Sequence, residues 1–326
     1  MVLVNIARNP VPAGAVSGHF RGYDGVKLRF ARWQSTSEKR NGTVCVFTGR
    51  SEFIEKYFEV ISDLRMRGFA VTIMDWRGQG GSHRELRNPR KGHINSFSEY
   101  QKDVHCYMRE VVLPDCPPPY FTLAHSMGAQ IMIHMLTSQS SWFERAVLVS
   151  PMFHLMPTLL PLSQGTITYL TEILSFLGVG EYYVPSGRDE TWDEQPFEGN
   201  IITSDKTRYK RAQAILEIAP ELGLGSPTIG WLRAACRSMA KLEKVEFPTQ
   251  IQVPTLIIGA GADRIVLTRF AEDFSLRLKI GSHVTIPGAQ HEIMQERDEL
   301  RLQFWAAFDA YIPGGRDLPL KETSMV

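Results

Sequence analysis

Short apolar runs typical of buried β-strands alternate with amphipathic helical patterns through most of this chain. Strands are predicted at 28–33, 43–48, 69–74, 120–124, 145–149, 254–258 and 284–286. Helices are predicted between them, at 52–67, 96–112, 127–138, 267–278 and 294–311. Because strands joined through helices pair in parallel and need cover on both faces, this order predicts an α/β fold with a mostly parallel central sheet flanked by helices.

The alternation is interrupted between 151 and 247, where several prolines separate helical stretches. One stretch carries an apolar face made of Ile167, Leu170, Leu174 and Leu177, and others are predicted at 209–218 and 231–242. The chain is therefore divided into a core of 17–150 and 248–312, a helical insertion at 151–247 and a C-terminal tail at 313–326. The insertion is either a structural subdomain or a cap over a site at the strand ends, and its position favours the cap.

Composition excludes several classes of protein. The 326 residues include 36 Lys and Arg against 35 Asp and Glu, a balance that does not indicate a nucleic-acid partner. Four scattered cysteines form no CxxC pair and no zinc-like cluster with histidine, so reduced thiols are expected. No apolar run approaches the roughly 18–20 residues of a membrane span, and none forms a signal-peptide core. We expect a soluble cytoplasmic protein, with peripheral membrane contact left open.

Ser126 lies in the segment Ala124-His125-Ser126-Met127-Gly128, between a predicted strand and a predicted helix. This is the context of a nucleophile elbow, a sharp turn that exposes a serine and needs small residues two positions to either side. Ala124 and Gly128 meet that need, although alanine replaces the usual first glycine. The alternative is an ordinary serine in a tight turn.

A nucleophilic serine needs a base, and the base needs an orienting carboxylate. In this kind of fold the chain order is serine, acid, histidine. Asp263 follows the strand at 254–258, and His291 follows the last predicted strand. An aspartate that supports its own turn and a surface histidine are the alternatives, but order and position favour a triad of Ser126, Asp263 and His291.

Two backbone amides are predicted to bind the negative charge that develops on a substrate carbonyl oxygen. One belongs to Met127, after the serine, and the other to Arg50, in the loop Thr48-Gly49-Arg50-Ser51 after an earlier strand. The glycine-rich loop that starts at Asp75 lacks phosphate-loop spacing and is predicted to be structural. His125 is expected to point away from the substrate. No histidine is assigned to a metal.

Together these motifs resemble the α/β-hydrolase superfamily. The segments HSMG, DWRGQGGS, TGRSEFIEKY and the late HE pair are similar to those of the lysophospholipase and monoacylglycerol lipase group, and GHINSFSEYQKDV and PELGLGSPTIGWL to bacterial lysophospholipases of the L2 type. The resemblance implies the same triad and the Arg50 and Met127 amides. Thr48 stands where the monoacylglycerol lipases carry the histidine of an HG pair.

The resemblance implies an α/β-hydrolase fold with a helical cap, and a serine hydrolase that cleaves a carboxylic ester of a lysophospholipid or monoacylglycerol-like lipid through an acyl-enzyme. It implies no cofactor and no metal. A thioesterase, acyltransferase or amide hydrolase would use the same residues and stays an alternative. A ligand-binding protein without turnover is the third hypothesis. The expected partner is a small lipid-like ester.

Overall fold

The computed structural model describes residues 3–137, 141–157 and 162–314. Its centre is an eight-stranded sheet in the order β1-β2-β4-β3-β5-β6-β7-β8. The strands are β1 (Val16–Arg21), β2 (Lys27–Trp33), β3 (Thr43–Phe47), β4 (Ala70–Met74), β5 (Tyr120–His125), β6 (Phe143–Val149), β7 (Thr255–Ala260) and β8 (Gly281–Ile286). Strands β3 to β8 pair in parallel, whereas β2 is antiparallel to β4 and β1 to β2. The predicted mostly parallel sheet is confirmed.

Strand β1 was not predicted from the sequence. It lies at the sheet edge, its burial is almost confined to Phe20, and Gly18 and His19 interrupt its apolar pattern. An edge strand that packs little surface carries only a weak hydrophobic signal. All seven predicted strands are present, with ends shifted by up to three residues.

Helices cover both faces of the sheet. They are α1 (Phe58–Met66), α2 (Phe97–Tyr107), α3 (Leu113–Asp115), α4 (Ser126–Met135), α5 (Gln164–Phe176), α6 (Lys206–Ile218), α7 (Ile229–Leu242), α8 (Thr268–Ser275) and α9 (Asp298–Tyr311). Successive strand residues point to opposite faces, so Phe47 packs in the layer that holds α2, α4 and α8, and Val46 in the layer that holds α1 and α9. All five helices predicted for the core are present.

Two details of the predicted helices were wrong. The helix that starts after Ser96 does not stop before Pro114, because a π-helical segment, Met108–Val112, leads from α2 into α3. Proline brings no amide hydrogen, and the wider π turn accommodates it in the last turn. The spacing of Ser96 and Glu99 predicts a capping box, but the Ser96 hydroxyl accepts its hydrogen bond from the amide of Ser98 instead of that of Glu99.

Helices α5, α6 and α7 lie between β6 and β7, in the segment where the alternation breaks. Helix α7 packs on the core through Trp231, whose ring meets that of Phe97 in α2 with centroids 5.6 Å apart. Helix α5 packs less fully. Of its predicted apolar face Ile167 is buried, whereas Leu170 and Leu174 are 42% and 37% exposed. Most of that face therefore points outward.

The four cysteines are free, and Cys45, Cys116 and Cys236 are buried. Within the three described ranges, no helix is long and apolar enough to cross a membrane.

Candidate active site

The turn between β5 and α4 holds Ser126 in a strained conformation. Its φ of 49° lies in the left-handed region, and the residue is buried. A Cβ on Gly128 would come within 2.5 Å of the carbonyl oxygens of Phe47 and Thr48, so only glycine lets the helix approach β3 this closely. Ala124 is fully buried in the apolar layer beneath, where its methyl group is accommodated.

Ser126, His291 and Asp263 form one hydrogen-bonded chain. The Ser126 Oγ lies 2.8 Å from Nε2 of His291, and Nδ1 of the same ring lies 2.8 Å from Oδ2 of Asp263. The other carboxylate oxygen of Asp263 accepts the amides of Ile265 and Val266 at 2.8 and 2.9 Å. Burial alone would raise the pKa of Asp263, but His291 and these amides outweigh it and hold that pKa below its ordinary value.

The sheet explains why these three residues meet. Ser126 follows β5, Asp263 follows β7, and His291 follows β8. Those strands are parallel and close in the sheet, so their carboxyl ends open on the same edge. Ligands of open α/β sheets bind outside this edge.

Arg50 and Met127 place their backbone near the same serine. Gly49 lies so close that a Cβ on it would come within 3.2 Å of the Cβ of Ser126. Neither the Arg50 amide nor the Met127 amide donates a hydrogen bond to any group that the structure describes. Both donors are therefore free for a ligand. Thr48 is fully buried and its carbonyl accepts the indole N–H of Trp76 at 2.8 Å, which fixes the start of this loop.

Comparisons with known proteins identify the family. Residues 38–298 match the model of the Hydrolase_4 family, described as serine aminopeptidase, S33. The chain belongs to this family. It is also 32% identical to lysophospholipase L2 of Escherichia coli K12 over 289 residues, which is 86% of this chain and 83% of that protein. A probable lysophospholipase L2 of Haemophilus influenzae is 30% identical over 283 residues, 87% of each chain.

Solved structures agree on the fold. A soluble variant of monoglyceride lipase from Saccharomyces cerevisiae superposes with a TM-score of 0.71 at 18% identity, covering 92% of this chain and 97% of that one. A thermostable carboxyl esterase from Bacillus coagulans gives a TM-score of 0.70 at 19% identity, covering 93% and 99%. The α/β-hydrolase fold and the resemblance to lysophospholipases predicted from the motifs are confirmed.

Behind the triad of this family member lies a buried network that sequence reasoning missed. Nδ1 of His125 lies 2.9 Å from Glu52 Oε2, which also accepts the Tyr57 hydroxyl at 2.7 Å and the amide of Gly49. Nε2 of His125 lies 3.2 Å from the backbone carbonyl of His291. His125 thus points away from the substrate side, as predicted, and braces the loop that carries His291.

The charges of this pair stabilise each other. Burial disfavours an ionised Glu52, but His125, Lys56 and Tyr57 outweigh it and lower the pKa of the glutamate to about 2. Burial also disfavours a protonated His125, but Glu52 outweighs it and raises the pKa of the histidine. A protonated imidazole can donate at both nitrogens, as the two contacts of His125 require.

Lys56 connects the insertion to the residue after His291. Its Nζ lies 2.9 Å from Asp193, in the insertion, and 2.7 Å from Glu292. With Glu52 and His125, the buried group holds three carboxylates and two cations, so full ionisation would leave one excess negative charge. Burial, together with repulsion from Asp193 and Glu52, raises the pKa of Glu292 to about 7 despite Lys56. No sequence pattern indicates this group, because Lys56 is 137 positions from Asp193 and 236 from Glu292.

The glycine-rich loop after β4 has the predicted structural role. Asp75 Oδ2 accepts from Nε of Arg29 at 2.6 Å and from the amide of Gly81 at 2.7 Å, while its Oδ1 accepts the amide of Ile54 at 3.0 Å. Arg29 also donates to both oxygens of Glu55 at 2.8 Å. Asp75 is fully engaged and fully buried, so the loop supports the site from below.

Three further histidines, His105, His134 and His283, have surroundings separate from the triad. His105 packs against the ring of Trp142, and His134 lies 3.1 Å from the hydroxyl of Ser238. His283 lies in β8. The described residues contain no group of three or more His, Cys, Asp or Glu that could hold a metal ion.

Proposed function

We propose that this protein is a carboxylic ester hydrolase that uses Ser126 as nucleophile, His291 as base and Asp263 as the orienting acid. The observation that carries the proposal is the unbroken chain of hydrogen bonds from Asp263 through His291 to Ser126. A serine hydroxyl is a weak nucleophile at neutral pH, and this arrangement is the one that activates it.

The proposed mechanism assigns one role to each of these groups. Nε2 of His291 takes the proton of Ser126 as Oγ attacks the acyl carbonyl carbon, and Asp263 stabilises the imidazolium. The Arg50 and Met127 amides bind the oxyanion. The imidazolium then protonates the leaving alcohol and an acyl-serine remains. Water, deprotonated by His291, attacks that ester, and the fatty acid leaves as Ser126 recovers its proton.

For the substrate we propose a lysophospholipid or a monoacylglycerol-like lipid. Relatives at 30–32% identity are named lysophospholipases. We also propose that the insertion at 151–247 is a cap over the site, because Lys56 joins Asp193 of the insertion to Glu292, beside His291. A capping helical segment offers apolar cover for an acyl chain, whose burial stabilises binding by roughly 0.8 kcal/mol per methylene.

The first experiment measures hydrolysis of p-nitrophenyl esters from acetyl to palmitoyl by the wild type and by Ser126→Ala. We expect turnover to collapse in the variant by at least about 10³-fold, and the preferred chain length to size the acyl site. Ser175→Ala, which changes a serine on α5 outside the triad, is the control. An inactive wild type, or a Ser126→Ala variant equal to it, would favour the ligand-binding alternative.

A second comparison separates the reaction classes that share a triad. Matched ester, thioester and anilide substrates with one acyl chain are compared by kcat/KM. The ester is expected to be cleaved fastest. Faster thioester cleavage would indicate a thioesterase, and faster anilide cleavage would agree with the peptidase activity in the description of the family.

We also propose that α5 contacts a lipid surface. Its outward side carries Tyr169, Ile173 and Phe176, which are 68%, 40% and 91% exposed, besides the exposed leucines already described. An apolar helix face exposed in this way is typical of interfacial helices. The four free thiols fit a reducing compartment, so we place the contact at a cytoplasmic membrane face.

Co-sedimentation with phosphatidylglycerol–phosphatidylethanolamine vesicles tests this contact. Phe176→Ser is expected to lower the bound fraction, whereas Leu302→Ser, which changes another exposed apolar residue, on α9, is expected to leave it unchanged. Equal binding by all three proteins would contradict the membrane contact and leave the hydrolase proposal intact.

A further inference from the structure

A cavity of about 290 Å³ lies beside the loop that carries the Arg50 amide. Its walls include Arg50 and Ser51 from that loop, and Arg188, Glu190 and Ser226 from the insertion. We propose that this cavity binds the phosphate of the substrate head group, with the Arg50 guanidinium as its principal cation. The inference rests on the proposed function. It concerns recognition of the head group, which the triad does not distinguish.

The Arg50 side chain is held in place without a counter-ion. Its Nη1 lies 3.0 Å from the hydroxyl of Ser51, its Nη2 donates to the carbonyl of Gly225, and its guanidinium stacks over Trp231 at 5.2 Å. Its Nε is buried and has no hydrogen-bond partner among the described residues. Arg50 forms no ion pair with any carboxylate in the part of the chain that the structure describes.

A guanidinium charge without a carboxylate partner is energetically unfavourable, and binding of an anion would offset that cost. Burial without a carboxylate lowers the pKa of Arg50 to about 10. An unpaired buried charge destabilises a protein unless something compensates it. A phosphate would supply both the charge and the acceptors, because the planar guanidinium offers paired N–H groups that match two phosphate oxygens.

The other walls of the cavity suit the same ligand. Arg188 adds a second cation, and its side chain is 66% exposed with Glu190 3.6 Å away, so it can turn toward an anion. Two arginines against one glutamate leave an excess positive charge. The hydroxyls of Ser51 and Ser226 add donors. The volume is near the lower end of small-ligand sites, about 300–1,000 Å³.

The position relative to the triad fits one substrate molecule. The amide of Arg50 is the proposed oxyanion donor, so the reacting carbonyl and the phosphate would be bound by the two ends of one residue. In a lysophospholipid the glycerol backbone links the ester to the phosphate, and would run along that residue. A monoacylglycerol has no anion for the cavity. The cavity therefore favours lysophospholipids over neutral monoacylglycerols.

The test compares kcat/KM for 1-palmitoyl lysophosphatidylglycerol and 1-palmitoylglycerol in wild type, Arg50→Gln and Arg84→Gln. Arg84 is a matched control. Like Arg50, it forms no ion pair with a carboxylate among the described residues, and it donates to the carbonyls of Glu221 and Gly223 in the insertion, but it does not line the cavity. We expect Arg50→Gln to lower the ratio of the two values about tenfold to a hundredfold, and Arg84→Gln to leave the ratio unchanged.

A ratio that stays constant in Arg50→Gln, or that falls equally in Arg84→Gln, overturns the inference and leaves the hydrolase proposal standing. Calorimetric titration of Ser126→Ala with sn-glycerol 3-phosphate and with inorganic phosphate separates the remaining cases without turnover. Glycerophosphate that binds more tightly than inorganic phosphate supports a head-group site. Equal affinity indicates a free-phosphate site, and absence of binding by both overturns the inference even if Arg50→Gln is unstable.

Discussion

Two arginines near the site, one fully buried and one partly buried, have opposite surroundings. Arg29, below the glycine-rich loop, binds Glu55 and Asp75, and each of its three guanidinium nitrogens donates to a carboxylate. Arg50, on the side of the insertion, meets a hydroxyl, a carbonyl and an aromatic ring. On the core side of the site the Arg29 charge is thus paired with carboxylates. On the side toward the insertion, the Arg50 charge has no carboxylate partner among the described residues.

This difference separates residues that hold the site from residues that await a ligand. A complete buried network fixes geometry and gains nothing from a further partner. A network with an unpaired cation is stabilised most when an anion binds. In this protein the network of Arg29, Glu55 and Asp75 is complete and lies below the glycine-rich loop, whereas the incomplete one around Arg50 faces a cavity.

The largest effect is expected at Asp263, the residue proposed to orient His291. Asp263→Asn should lower kcat for a p-nitrophenyl ester by ~10⁴-fold, because the amide no longer holds His291 in the tautomer that accepts the serine proton. Asp309→Asn, which alters an aspartate paired with Arg67 on α9, is the control and should keep its activity. A small decrease in Asp263→Asn would contradict the assigned acid.

The next effect tests the closed network itself. Arg29→Met should lower the free energy of unfolding by roughly 3–5 kcal/mol, because Glu55 and Asp75 would stay buried without their cation. Arg237→Met removes an exposed pair with Glu172 and should change it by about 0–1 kcal/mol. Urea denaturation of the wild type and the two variants measures both changes in the free energy of unfolding. Similar losses in the two variants would contradict the special role given to the Arg29 network.

A smaller effect concerns pH. The pKa of Glu292 is raised from 4.5 to about 7 by burial and by its acidic neighbours, so the folded protein keeps a proton that the unfolded chain releases. Between these two values Glu292 therefore lowers stability as pH rises, by at most about 1.4 kcal/mol per pH unit. Glu292→Gln should flatten that decline in urea denaturation curves, whereas the surface variant Glu198→Gln should follow the wild type. An unchanged slope in Glu292→Gln would show that this carboxyl is ionised throughout.

Much of the fold could be predicted because its signals are local. Apolar runs of five or six residues indicated the buried strands, and the small residues around Ser126 indicated the elbow. The same segments predicted which residues the sheet edge would gather, and the structure does bring Ser126, Asp263 and His291 together. Strand β1 was not predicted, because an exposed edge strand has little hydrophobic pattern.

The polar networks could not be predicted, since their partners are far apart in sequence. Lys56 meets Asp193 across 137 positions and Glu292 across 236, and no periodicity reports such pairings. The sequence predicted a role only for the backbone amide of Arg50, not for its side chain. Its missing carboxylate becomes visible when all neighbours are placed, because absence of a partner is a property of three-dimensional packing.

Strands β6 and β7 pair directly, with Val149 opposite Ile258, although about a hundred residues of insertion separate them in the chain. Because these strands are parallel, the chain leaves the sheet after Val149 and re-enters it at Thr255, which lies opposite Ala146. The two points are separated by three residues along the strands, roughly 10 Å, and by one strand spacing, roughly 4.8 Å, across them. A segment anchored in this way can lengthen, shorten or be replaced with little change in closure entropy or in the strands beside it. Recombination can therefore exchange the insertion of such a protein as a unit, while the part of the chain that carries Ser126, Asp263 and His291 is inherited unchanged.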